Sequence, residues 1–128
     1  MSQNTTLILL PQTSYLNPGN GASYTVTGSS QPAAAYILGN RDLQTVSLSA
    51  TNLTGNIVIE ASLASTPTDN DWFKVYELEA NANAASNSAP QLASNASMYT
   101  NVTGNFVFMR AKIKDFAGGG VSYVKLSY

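Results

Sequence analysis

Hydrophobic and polar residues alternate over 45–49, 57–63, 72–76, 106–113 and 121–126. Period two is the spacing of a strand with one buried face, because successive side chains of an extended backbone point to opposite sides. In "LQTVSLSA", Val46 and Leu48 oppose Thr45, Ser47 and Ser49, with Leu43 out of phase. Ile57, Ile59, Ala61 and Leu63 oppose Val58, Glu60 and Ser62. In "WFKVYELEA", Phe73 and Val75 oppose Trp72, Lys74 and Tyr76. Val107, Met109, Ala111 and Ile113 oppose Phe106, Phe108, Arg110, Lys112 and Lys114. Val124 and Leu126 alternate with Tyr123 and Lys125, and this last strand runs to Tyr128, tying that end of the chain into a sheet.

Between these stretches the punctuation is dense. Residues 1–11 read as a short strand centred on Leu7–Leu10 and stopped by Pro11, which cannot donate to a ladder. Residues 12–35 are turn-rich, with a loop at Asn17–Ser23 and a short strand at Ser23–Gly28; the alanine run of "SSQPAAAY" is too short to make a helix alone. "STPTDND" reads as a turn, 80–97 as a long loop of small polar residues, and "DFAGGG" at Asp115–Gly120 as a hairpin turn. The expectation is one domain over 1–128, all-β, with six to eight short strands and no helix longer than two turns. An antiparallel β-sandwich is the leading architecture and a small β-barrel the runner-up.

One phrase occurs twice, as "NLTGNIVIEAS" from Asn52 and "NVTGNFVFMRA" from Asn101. Thr-Gly-Asn reads as a corner that launches a strand. Gly55 and Gly104 supply positive φ, Asn56 and Asn105 bond their own backbone, and Leu53 and Val102 tuck beneath. Matching Ala61 to Ala111 and Leu63 to Ile113 requires one extra residue in the second copy, hence a β-bulge near Met109. The two strands would then occupy equivalent places in two packed sheets. The alternatives are a paired loop that contacts a ligand and coincidence in a Thr- and Asn-rich chain.

Composition narrows the partners. Asp, Glu, Lys and Arg make up only 10% of the chain, against about a quarter in ordinary soluble domains. The surface is therefore neutral and rich in hydroxyls and amides. Net charge is −1, with no basic stripe to displace counterions from a phosphate backbone, so no nucleic acid is expected. There is no Cys and no His, which removes disulfides, thiolate nucleophiles and imidazole bases or ligands. Leu7–Leu10 followed by Pro11 is far short of the roughly 20 apolar residues a bilayer requires and lacks a basic leader, so neither a membrane span nor a signal peptide is expected.

Three constellations merit weighing. Asp69 and Asp71, with Glu77 and Glu79, read first as turn chemistry; calcium binding and acid–base catalysis are the alternatives, but "TDND" lacks the glycine and distal glutamate of an EF-hand loop. Arg110, Lys112 and Lys114 alternate on one strand face, either solvated or forming a ladder with acids such as Glu77 and Glu79 in the same or a neighbouring chain. Trp72, Tyr76, Tyr123 and Tyr128 read as core or interface aromatics, with a sugar-stacking platform as the alternative. The sequons at Asn4, Asn52, Asn95 and Asn101 carry little weight without a secretory signal. No catalytic residue, metal ligand or cofactor site is assigned.

The runs "LTGNIVIEASLASTPTDNDWF", "DWFKVYELE" and "YTNVTGNFVFMRAKIKDFAGGGVSYVKLSY" resemble small β-rich virion structural proteins of tailed bacteriophages, especially T4-like phages of cyanobacteria. The resemblance covers roughly residues 44–79 and 98–128 and is most specific in the second block. It implies a non-enzymatic virion component, assembled in the infected cytoplasm, with other virion proteins as partners and the chain present as a homo-oligomer or in several copies per particle. An exposed accessory subunit decorating or cementing the capsid is the leading expectation, with the major capsid protein as neighbour. A neck or tail protein is the first alternative and a carbohydrate-binding module at a receptor-contacting tip the second. Residues 1–35 are the expected partner-contacting arm, and 80–97 a second segment for such contacts.

Overall fold

Two strands of 20 residues each, paired along almost their whole length, form the centre of the computed structural model, which describes residues 6–39, 41–80 and 96–128. The strands in chain order are β1 (Thr6–Leu10), β2 (Thr13–Ser14), β3 (Tyr24–Thr27), β4 (Gln31–Pro32), β5 (Leu43–Ser62), β6 (Trp72–Ala80), β7 (Ala96–Thr103) and β8 (Phe108–Ser127). A short helix, α1 (Ala34–Leu38), and a 3₁₀ turn at Asp69–Asp71 complete the described elements.

The all-β, antiparallel class is as expected. The strands belong to one continuous sheet that curls into a half-barrel, so its core is enclosed by curvature of a single sheet. β5 and β8 are the central pair. β1, β2, β3 and β4 run in succession along the other side of β8, pairing with 124–127, 120–121, 112–116 and 108–109. β7 and β6 share the other side of β5, against 43–50 and 55–62. The segment expected as an arm over 1–35 is thus, from Thr6 to Pro32, an edge of the sheet broken into four pieces.

Four sequence expectations are corrected. "DFAGGG" is not a hairpin turn, because β8 continues through it. The first Thr-Gly-Asn is likewise inside β5. Both signals are bends, and they face each other across the ladder: Asn52 (φ 50°) and Gly55 (φ 152°) on β5, Asp115 (φ 55°) and Gly119 (φ 64°) on β8. The register slips here, at Thr51/Thr54 and Thr54/Asn56, and the buried face of β5 changes from Gln44, Val46, Leu48 and Ala50 to Leu53, Ile57, Ile59 and Ala61. A bulge of this kind raises local twist and turns the sheet.

Second, the strands that follow the two phrases do not lie in two packed sheets. They are neighbours, with Ile57 opposite Ile113, Ile59 opposite Ala111 and Ala61 opposite Met109 in unbroken register. There is accordingly no bulge near Met109. The extra residue lies in β6: Ile59 faces Tyr76 and Glu60 faces Lys74, leaving Val75 unmatched. Val75 and Tyr76 both pack against the core, which strict alternation forbids.

Third, Gly104 does not have positive φ, and the second phrase is not a copy of the first bend. It closes β7, with the Gly104 amide donating to the Asp42 carbonyl at 2.9 Å and the Phe106 ring lying across the bare glycine face. Leu53 and Val102 are buried beneath their phrases as expected. Fourth, Leu63 is 64% exposed, because β5 ends at Ser62.

The long loop expected at 80–97 lies mainly outside the described residues, and its ends belong to β6 and β7. The core runs along the inner face of the curl, from Leu9, Leu48 and Leu126 to Ile59, Met109 and Ile113. Tyr15 and Tyr24 pack on buried Phe116 with ring centroids 5.6 and 5.5 Å away, which fastens the 15–24 loop to the bend of β8. Tyr128 is buried at the end of β8, and its hydroxyl donates to the Pro32 carbonyl at 2.9 Å.

Candidate functional site

The chain's charged chemistry collects on the face of the sheet away from the core. Alternation places Asn56, Val58, Glu60 and Ser62 of β5 on that face, opposite Lys114, Lys112, Arg110 and Phe108 of β8. On the other side stand Glu77, Lys74 and Trp72 of β6. Arg110 donates through Nε to Glu60 Oε1 at 2.8 Å, and Lys112 Nζ lies 3.0 Å from Oε2. Lys74 Nζ donates to Glu77 Oε1 at 2.8 Å, while Asn56 Nδ2 donates to its Oε2 at 2.7 Å. The Arg110 guanidinium stacks over the Trp72 ring, 4.3 Å from its centroid.

The electrostatics follow from these partners. Burial pushes the Glu60 carboxyl up, but the hydrogen bonds and charges of Arg110 and Lys112 outweigh it and hold it below the usual range. Glu77 is also lowered, chiefly by the hydrogen bonds from Lys74 and Asn56, with Lys114 adding charge. A carboxylate held ionised by two donors is a weak proton carrier near neutral pH. The ladder ties β5 to β8 through Glu60 and to β6 through Asn56 and Glu77. Val58, at its centre between Lys112 and Glu77, is 3% exposed although it lies outside the main core cluster.

Each group of sequence candidates can now be placed. Arg110, Lys112 and Lys114 share one face and do form a ladder within the chain, but its central acid is Glu60, with Glu77 beside it. Asp71 closes the 3₁₀ turn. Its Oδ2 accepts from the Thr68 backbone amide at 2.7 Å and from Oγ1 at 2.9 Å, and these bonds lower its pKa. Asp69 lies on the same turn and Glu79 is buried on β6. Among the described residues, no three Asp or Glu side chains converge as a metal site would need.

The four aromatics are not one platform. Trp72 faces outward under Arg110, whereas the bulge at Val75 turns Tyr76 toward the core. Tyr123 lies opposite Ser49, thirteen positions along β5 from Ser62, where Trp72 pairs, and it carries Lys125 4.4 Å above its ring. Tyr128 is buried, and burial raises its phenol pKa.

Two features had no clear signal in the sequence. At the end of the half-barrel, Ala35, Tyr36, Asn105, Phe106 and Val107 line an open groove of about 300 Å³. Its aromatic neighbours are tied in pairs, Tyr36 to Phe108 at 5.4 Å and Phe73 to Phe106 at 5.8 Å. Gln44 is the second. It is 1% exposed and joins three elements, accepting from the Ala34 amide at 3.1 Å while Nε2 donates to the carbonyls of Asp42 and Val102 at 2.9 and 2.8 Å. It thereby satisfies an N-terminal amide of α1 and lets an alanine run form a helix. A lone Gln in phase with Val46 and Leu48 was the only clue.

No helix among the described residues is long and apolar enough to cross a membrane. Comparison of the chain with protein-family models, with curated proteins and with solved structures finds no match.

Proposed function

We propose that the protein is a non-enzymatic structural component of a tailed-phage virion, an exposed accessory subunit that decorates or cements the head and contacts the major capsid protein. The observation that carries the non-enzymatic part is the way the polar side chains of the outer face are used. On that face Glu60 is taken up by Arg110 and Lys112 and Glu77 by Lys74 and Asn56, and on the adjoining 3₁₀ turn Asp71 is taken up by Thr68. Glu60 and Glu77 thereby brace the sheet, which supports a scaffold role. The virion part rests on the sequence resemblance over 44–79 and 98–128, together with a charge-poor surface suited to close packing against neighbours.

The test is mass spectrometry of particles purified from a lysate of the host carrying the gene, followed by immunogold electron microscopy. Several copies per particle with label over the head support the proposal. Label at the neck or tail replaces the head assignment with the tail one, and particles free of the protein overturn the virion reading.

A further inference from the structure

An edge strand offers unpaired backbone groups to any passing strand, and proteins blunt such edges with prolines, bulges, lysines or short strands. Two edges of this half-barrel are blunted. The β1–β4 edge is split into four pieces, with Pro11 and Pro32 in its path and register breaks at Ile8/Leu10 and Tyr24/Val26. β6 carries the Val75 bulge and Lys74, whose side chain is 58% exposed. β7 has none of these devices. It pairs with β5 through eight successive residues without a slip, and "ASMYTNVT" contains no charge, proline or glycine. Among the described residues its only strand partner is β5. Tyr99 on this strand is 68% exposed, and Ser97 and Asn101 are exposed beside it.

We propose that β7 is a self-association edge, where a second copy of this chain adds antiparallel about a two-fold axis through Thr100. The strand is self-complementary in that register. Thr100 meets the partner's Thr100, a pair able to exchange hydroxyl hydrogen bonds. Met98 meets the partner's Val102, continuing the apolar face from one half-barrel into the next. On the outer face Tyr99 lies across the partner's Asn101, and Ser97 across the partner's Thr103. Both faces stay matched, since directly opposite residues of an antiparallel pair share a face. A strand without charge brings no like charges together, and a net charge of −1 per chain gives little repulsion between copies. Such an interface is isologous and closed, so it yields a dimer and no filament. The inference does not rest on the virion proposal, and either can fail alone.

The full chain is measured by sedimentation velocity from 1 to 100 µM. The expected species has twice the 13.5 kDa chain mass. Tyr99→Lys with Asn101→Lys sets lysine against lysine twice across the axis, and the mass is expected to halve. Tyr99→Lys with Asn101→Glu sets lysine against glutamate and is expected to restore the dimer. As a check independent of these changes, Thr100→Cys cross-links to its own copy with oxidised glutathione, while Ser97→Cys, far from its counterpart, does not. A parent that is monomeric throughout, a dimer indifferent to the paired lysines, or cross-linking equal at both positions overturns the proposal.

Discussion

Gly119 of β8 lies so close to the carbonyl of Asn52 on β5 that a β-carbon has no room there. Both residues have left-handed backbone, φ 64° and 50°, so the two long strands bend at one shared point. Gly119→Ala therefore meets a backbone clash as well as strain, and the strain alone costs about 1–3 kcal/mol. Its neighbour Gly118 is the control, since a β-carbon there makes ordinary contacts of 3.5 and 3.6 Å with the Thr54 side chain. Gly118→Ala is expected to shift stability by about 0.5 kcal/mol or less. Urea denaturation of the two variants checks the difference.

The charged ladder gives the stability a pH signature. The folded pKa values of Glu60 and Glu77 lie below the ordinary 4.5. The folded state thus binds these protons less readily than the unfolded chain. Their stabilisation is complete above the unfolded value and is lost as pH falls from about 4.5 through the lowered folded values. Glu60→Gln should reduce stability by about 2 kcal/mol at pH 7, the usual scale for hydrogen bonds to a charged group. It should also flatten the acid limb of a melting-temperature profile between pH 6 and 3. An unchanged acid limb would remove Glu60 from the account.

Gly104 carries a different kind of constraint from Gly119. The Phe106 ring covers it and in turn meets Phe73 at 5.8 Å. Gly104→Ala is expected to cost about 1–3 kcal/mol by overpacking. In a Phe106→Leu background most of that cost should disappear. A double-mutant cycle with no coupling between the two positions would show that the ring is not the obstacle.

Gln44→Leu keeps the side-chain volume but takes the acceptor from the Ala34 amide and a donor from the Val102 carbonyl, while the Asp42 carbonyl keeps the Gly104 amide. A loss of about 1–3 kcal/mol is expected, the cost of one buried polar group left unmade. Amide exchange at Ala34 should accelerate together with that of β7. Faster exchange in α1 alone would mean that Gln44 does not couple the two elements.

The all-β class was legible because period-two runs such as 45–49 and 109–113 need no partner to be recognised. The connectivity was hidden in the bends. Asn52, Gly55, Asp115 and Gly119 carry the same local preference for unusual φ whether a chain reverses or merely kinks, and only the facing strand decides which. The Val75 bulge leaves no compositional mark, so plain alternation puts Tyr76 on the face of Trp72 instead of toward the core. β7 has no clear signal in the sequence, because Met98, Thr100 and Val102 alternate too weakly among Ser, Thr and Asn. Among candidate residues, the basic row was visible from spacing. Its main acid was not, because Glu60 lies 50 residues away and only the β5–β8 register brings it opposite Arg110.

That register also sets an order of events for folding. β8 follows all its partners along the chain, yet β1 to β5 each pair with it. As the chain leaves the ribosome, β1 to β4 have no strand to join, and β5 lacks its longest ladder until β8 emerges. Most pairings span long loops, so the entropy of closing them is spent before contacts reward it, and folding is expected to be slow for a domain of this size. Until then the apolar faces of β1 and β5 stay uncovered together, so the nascent chain is expected to be open to aggregation in a way that the finished half-barrel is not.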